Sequence, residues 1–237
     1  MFNSKGLITL LGVFTMTSGL SRRRDQEGSP LIIGGDNAGK NEFPYQLSFR
    51  LKGQEHLCGA SLISEHVLSS DDGTEQTRSI SQWVIHEDYN VITFANDIAI
   101  LKLASPFTLN DQVKAVNLPL AGYKATGSGV ISGWGSTARD GAISDILRKN
   151  QVQIHSDSEC ERLLGSKYEA SMICAGSLTG GADFCDGDDG GPLTLTLDNQ
   201  PLLAGVASAL SGCGQPNNPG IYTEVAHFTQ WIRANMN

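Results

Sequence analysis

Gly180-Gly181-Ala182-Asp183-Phe184-Cys185-Asp186-Gly187-Asp188-Asp189-Gly190-Gly191-Pro192 crowds glycines, carboxylates and a cysteine into thirteen residues. Glycine lets the backbone turn tightly and leaves its N–H groups uncovered, so the stretch reads as a loop that forms an anion-binding nest. Its aspartates lack the spacing and the terminal glutamate of a calcium loop. No metal or other cofactor is expected at it.

Outward from this loop, the chain reads as β structure. Tyr45 to Leu51 alternates with the period of a half-buried strand, and His56 to Ile63 reads as its successor. Few long helical patterns occur. Two short ones do: Ser156 and Glu159 have capping-box spacing before a helix over Cys160 to Leu164, and Phe228, Trp231 and Ile232 mark the apolar face of a C-terminal helix. The chain has 237 residues, 40% hydrophobic, with 27 glycines, which suits one all-β unit with a sizeable core. A formal charge of -8 argues against nucleic acid and anionic membrane as partners.

Residues 1–20 carry Lys5, an apolar stretch from Gly6 to Phe14 and then Thr17-Ser18-Gly19, the pattern of a secretory signal peptide. Residues 21–31, polar and ending in Pro30-Leu31, read as a pro-segment or linker. No other stretch approaches the length of a membrane span. An extracellular, secreted protein is expected, and cysteine usage agrees. Five cysteines are an odd number: one is a free thiol, an intermolecular bridge, or the survivor of a lost pair.

Several phrases recur in one order. Ile32-Ile33-Gly34-Gly35, His56 to Ile63, Asn96-Asp97-Ile98-Ala99-Ile100-Leu101, Ser132-Gly133-Trp134-Gly135, Met172-Ile173-Cys174-Ala175-Gly176, Gly187-Asp188-Asp189-Gly190-Gly191-Pro192 and Pro219 to Val225 together resemble the chymotrypsin and trypsin family of serine proteases over residues 32–237. The resemblance implies an all-β fold of two antiparallel Greek-key β-barrels with a C-terminal helix. It implies disulfides Cys160–Cys174 and Cys185–Cys213, leaving Cys58 alone. Asp97 corresponds to the aspartate that orients a catalytic histidine, and the amides of Gly187 and Asp189 to the oxyanion hole. Ile32 corresponds to a new N-terminus whose amine pairs with Asp188. Asp183, Phe184, Ser208, Leu210 and Gly220 correspond to a substrate pocket with a carboxylate at its base, suited to a cationic side chain.

The departures from the family pattern bear on chemistry. Asp189 stands where the nucleophilic serine belongs, and a carboxylate cannot replace a base-activated hydroxyl in acyl transfer. The family's Ala-Ala-His-Cys phrase is absent after Val67-Leu68, and the interval from Cys58 to Asp97 is about twenty residues short, enough to remove a turn and a strand. One in-frame gap accounts for the missing histidine, the missing cysteine, the odd thiol count and the short chain. The first barrel is therefore expected to be truncated. Leu31 precedes Ile32, where trypsin-type activation needs Arg or Lys. Phe184 and Leu210 replace small residues, which obstructs the pocket. Asp71, Asp72 and Glu75 fall near the family's calcium loop and read as a charged surface turn. His56, His66, His86, His155 and His227 read as solvated or core-edge residues.

These features point to a secreted, catalytically inactive protease homologue that acts by binding protein partners, proteases or their substrates. The alternative is an active trypsin-like endopeptidase, cleaving after Arg or Lys, represented by an incomplete transcript. That account leaves Asp189 aside, because a serine codon needs at least two base changes to encode aspartate. A product that does not fold is a third reading. Oligomeric state is open, with Cys58 available to cross-link.

Overall fold

Alternating side chains become antiparallel ladders in the computed structural model, which describes residues 10–12, 31–50, 56–63, 76–138, 141–209 and 213–236. Gln46–Arg50 (β3) and His56–Leu62 (β4) pair as the sequence predicts, with Leu47 opposite Ala60 and a register shift between Phe49 and Arg50. Ile80–Ile85 (β5) pairs with Ala99–Leu103 (β6). Between these two ribbons runs a strand that the sequence pattern does not predict, Leu10–Gly12 (β1), so the sheet order is β3-β4-β1-β6-β5. No ladder joins β3 to β5 among the described residues, in keeping with a truncated first barrel. The join at Val67-Leu68 and the acidic turn of Asp71, Asp72 and Glu75 lie outside the described residues, as does most of the predicted leader and pro-segment.

The second unit closes. Asp36–Asn37 (β2), Arg148–Ile154 (β8), Gly127–Gly133 (β7), Pro192–Leu197 (β10), Gln200–Ala209 (β11), Gly220–Glu224 (β12) and Met172–Ala175 (β9) neighbour one another in that order. Ile154 opposite Ala175 then joins β8 to β9, which leaves the barrel without an open edge there. A single turn at Leu31–Gly34 (α1), with non-helical backbone at Ile32 and Ile33, leads into β2.

Helix Asp157–Leu164 (α2) begins three residues before the predicted Cys160, because Ser156 is its N-cap: the hydroxyl accepts the Glu159 N–H at 3.3 Å. Helix Val225–Asn235 (α3) buries Phe228 and Ile232 in the same core cluster as Leu203 and Val206 of β11 and the first sheet's Leu62 and Ile100, as its periodicity predicts. Burying each of those two side chains contributes about 2 kcal/mol. The Cys160–Cys174 disulfide ties α2 to β9, Cys185–Cys213 ties the glycine-rich loop to the connection between β11 and β12, and Cys58 is a free thiol, all as the resemblance implies. No described helix is long and apolar enough to cross a membrane.

Candidate functional site

The loop of residues 180–192 connects β9 to β10 and packs around one buried carboxylate. Asp188 is 2% exposed; its Oδ1 accepts the Gly135 N–H at 2.7 Å and its Oδ2 the Cys185 N–H at 3.1 Å. Gly133 and Gly135 explain the Ser132-Gly133-Trp134-Gly135 phrase: a Cβ at either position would overlap the Asp188 carboxyl. Burial pushes this carboxyl up to about 7, the two N–H groups pull it partly back, and Asp189 and Asp186 add repulsion. Ile32 is buried among Phe184, Tyr222 and Ala207, its carbonyl accepting the Gly35 N–H at 2.7 Å. Backbone amides thus hold Asp188 where the resemblance implies an Ile32 ammonium.

Asp189 is half-buried beside it. Burial raises its carboxyl to about 7, Asp186 raises it further, and its own backbone N–H offsets a little. Burial, with a smaller push from the same carboxylate, raises the nearby Cys58 thiol to about 12. Such a thiol stays protonated and is a poor nucleophile for cross-linking. Gly187 holds a backbone φ of +92°, and a Cβ there would sit 3.3 Å from Gly135. Its carbonyl accepts from His56 Nε2 at 2.8 Å, while His56 Nδ1 lies 2.8 Å from the Ser48 hydroxyl. Burial holds His56 below its ordinary value, so the neutral ring donates through Nε2 and accepts the Ser48 O–H through Nδ1. Sequence reasoning treats His56 as structural and overlooks its tie to Gly187; its position two residues before Cys58 is the available signal.

Asp97 is 3% exposed. Its Oδ2 accepts the Ser208 O–H at 2.7 Å, and its main-chain carbonyl accepts the Thr223 O–H at 2.6 Å. Burial raises this carboxyl to about 7, the Ser208 hydrogen bond lowers it, and Asp189 raises it, so the two aspartates feel each other across the site. The other described histidines are engaged elsewhere. His86 packs on Phe228 and Trp231, His155 Nε2 donates to the Gly176 carbonyl at 3.1 Å, and His227 lies against Phe228. Ser208, read from the sequence as a pocket residue, spends its hydroxyl on Asp97 and is 2% exposed.

Asp183 is 1% exposed and, among the described residues, accepts backbone donors, Phe184 N–H at 2.9 Å and Gly214 N–H at 3.4 Å. Burial raises it to about 8. Phe184 is itself buried, its ring 5.0 Å from that of Tyr222. At Gly220 a Cβ would overlap the Asp183 carboxyl and come within 2.6 Å of the Phe184 ring. The Asp183 carboxyl and the Phe184 ring thus both lie directly against the Gly220 backbone. Tyr222, absent from the sequence-predicted site, has a buried hydroxyl with no partner close to these carboxyls. Leu210 lies outside the described residues. A groove of about 780 Å³ lined by Glu42, Tyr45, Lys114, Lys149, Thr194 and Gln200 draws on no residue of the loop. The described cluster with metal-ligand types, Cys185, Asp186 and Cys213, has both sulfurs in a disulfide.

Two sheets, one closed, a C-terminal helix and a carboxylate-centred loop define a class. A family model described as Trypsin matches residues 32–232. Trypsin-1 of Astacus astacus is 39% identical over 235 residues, covering 86% of this chain and 99% of that protein. Trypsin I-P1 of Gallus gallus is 35% identical over 251 residues, covering 97% of each. Trypsin of Sus scrofa is 35% identical over 223 residues, with 85% of this chain and 94% of the relative covered. The chain belongs to the trypsin family of serine proteases. The Gallus match spans more residues than the 237 of this chain, so it includes positions at which this chain has none.

Proposed function

We propose that this chain is a secreted, non-hydrolytic member of its family that acts by binding proteins, either proteases or protease substrates. Asp189 carries the reading: it stands in the nucleophile's place with a proton affinity raised by burial, and offers no hydroxyl to activate. The rest of the site supports it. Asp97 is satisfied by Ser208, no described histidine bonds to it, and a carboxylate in the Gly187–Asp189 nest repels the oxyanion that such a nest would otherwise stabilise. Phe184 occupies the room beside Asp183 that a cationic side chain needs. Two disulfides and the leader pattern of residues 1–20 support export.

The decisive assay offers purified protein an arginyl peptide substrate. No turnover is expected, from the parent or from Asp189→Ser, because restoring the hydroxyl leaves it without a base. Hydrolysis by the parent that a serine-directed inhibitor abolishes would overturn the reading. A second reading, an active endopeptidase whose natural chain is longer, is favoured by Asp183, a buried carboxyl at the base of the expected pocket with no cationic partner among the described residues. Peptide mass spectrometry of the natural protein across Val67-Leu68 and residue 189 separates the two: an inserted histidine with a serine at 189 selects the second.

A further inference from the structure

The groove that avoids the glycine-rich loop runs where the two units meet. One wall comes from residues 41–45 with Lys114 and Ala115, the other from residues 149–151 of β8 and residues 194–196 and 199–201 around the turn that joins β10 to β11. Tyr45 and Thr194, one from each side, are buried and hydrogen-bond to each other at 3.1 Å, which ties the walls together. At about 780 Å³ the groove has the size of a ligand site.

The turn decides what the second wall offers. Asp198 and Asn199, with φ of +50° and +59°, make the two-residue hairpin turn that requires left-handed backbone at both positions. Leu197 and Gln200 flank it and face each other, so they exchange backbone hydrogen bonds. The next pair, Thr196 and Pro201, is then a non-hydrogen-bonded one, and a proline without an N–H fits there. Thr196 therefore turns its N–H and C=O away from β11. On that side β10 pairs with β7 at Leu193 and Thr194, and among the described residues no backbone group takes up those of Thr196. Thr196 is exposed and lines the groove, so the wall carries a short open strand edge, the feature to which an extended chain adds.

The side chains match the same occupant. Asn41, Gln151, Asn199 and Gln200 are exposed along the groove, and among the described residues their amides have no hydrogen-bond partner. Each offers a donor and an acceptor, the pair that a peptide unit also presents. Lys149 pairs with Glu42 at 2.5 Å and Lys114 with Asp111 at 3.1 Å, which leaves Asp36 as the lining carboxylate without a cation among the described residues. We propose that the groove binds an extended, polar segment of a protein partner, which adds to β10 at Thr196 and sets a basic side chain against Asp36. This rests on the reading of the chain as a binding protein, and it places the contact away from the altered catalytic loop.

The test offers the full chain an array of random peptides of about twelve residues, each spanning about 40 Å when extended. Peptides that share a Lys or Arg at one position are expected to bind, and the Thr196 amide to exchange its hydrogen more slowly in the complex. Thr196→Pro removes the open N–H without breaking a ladder bond and should weaken binding about fivefold or more. Ala115→Trp, at an exposed position on the opposite wall, should abolish it. With one variant on each wall, misfolding of either leaves the other to decide, and Leu120→Ala, exposed and outside the groove, should keep the parent's affinity. No peptide held more tightly than about 1 mM, peptides that bind the parent and both wall variants alike, or an array of neutral oligosaccharides that fills the groove when peptides do not would each overturn the proposal. Peptides indifferent to both walls would still leave binding by another surface standing, so the groove can fail without the functional reading, which turnover of the arginyl substrate tests separately.

Discussion

Replacing Asp189 by asparagine keeps the shape of the side chain and removes its titration. In the parent, burial raises Asp97, Asp188 and Asp189 from 3.8 to about 7 and Asp183 to about 8. A carboxyl that binds its proton more tightly when folded contributes stability in full below its unfolded value, and loses it as pH rises through the folded one. Stability should therefore fall between pH 5 and pH 8. For Asp189 alone the interval from 3.8 to about 7 corresponds to about 4 kcal/mol as an upper bound, at 1.36 kcal/mol per pH unit. About two-thirds of that accrues above pH 5, and water reaching a half-buried group reduces it further, to about 1–2 kcal/mol. Asp189→Asn also relieves Asp97 and Asp188, both of which it repels. The assay is urea unfolding at pH 5 and pH 8 with disulfides intact. At about 2 kcal/mol per molar, the variant should gain about 0.5–1 M in midpoint over the parent at pH 8 and less at pH 5. His56, held low by burial, pulls the other way below its ordinary value, but it is common to both proteins and cancels in the difference. Equal pH dependence in parent and variant would refute the argument.

Ser208→Ala removes the hydroxyl that stabilises ionised Asp97, so a loss of about 1–3 kcal/mol is expected at pH 8 and a smaller one at pH 5, where Asp97 is protonated; urea midpoints at both values check it. Replacing Cys185 and Cys213 together by serine opens a loop of 28 residues' separation and should cost about 3–4 kcal/mol, read as a lowered midpoint in urea at constant pH.

How much of this was legible in sequence depends on the range of the interactions involved. The strands Gln46–Arg50 and His56–Leu62 and the helix over Val225–Asn235 follow from side-chain period alone, because each has one buried face. The capping signal at Ser156 and Glu159 is likewise local, and it marks the start of α2 more faithfully than the predicted Cys160 did. Asp189 and the shortened interval after Cys58 are statements about the chain itself, needing no coordinates to be seen.

Contacts between residues distant in sequence were not legible in that way. Nothing in the phrase Ser132-Gly133-Trp134-Gly135 says that its glycines leave room for Asp188, more than fifty residues on, and nothing in Ser208 says that its hydroxyl turns to Asp97. Phe184 reads from sequence as a wall residue, whereas packing against Tyr222 and Gly220 makes it part of the core. The use of Leu10–Gly12 as a strand is the furthest from local reading, since an apolar run carries the same pattern whether it is a leader or a sheet centre. By itself the sequence determined the family, the disulfide candidates and the presence of an aspartate at position 189, which are matters of residue identity and order. Only the tertiary structure decided which groups satisfy the buried carboxylates, because partners for buried charges are chosen by proximity in space.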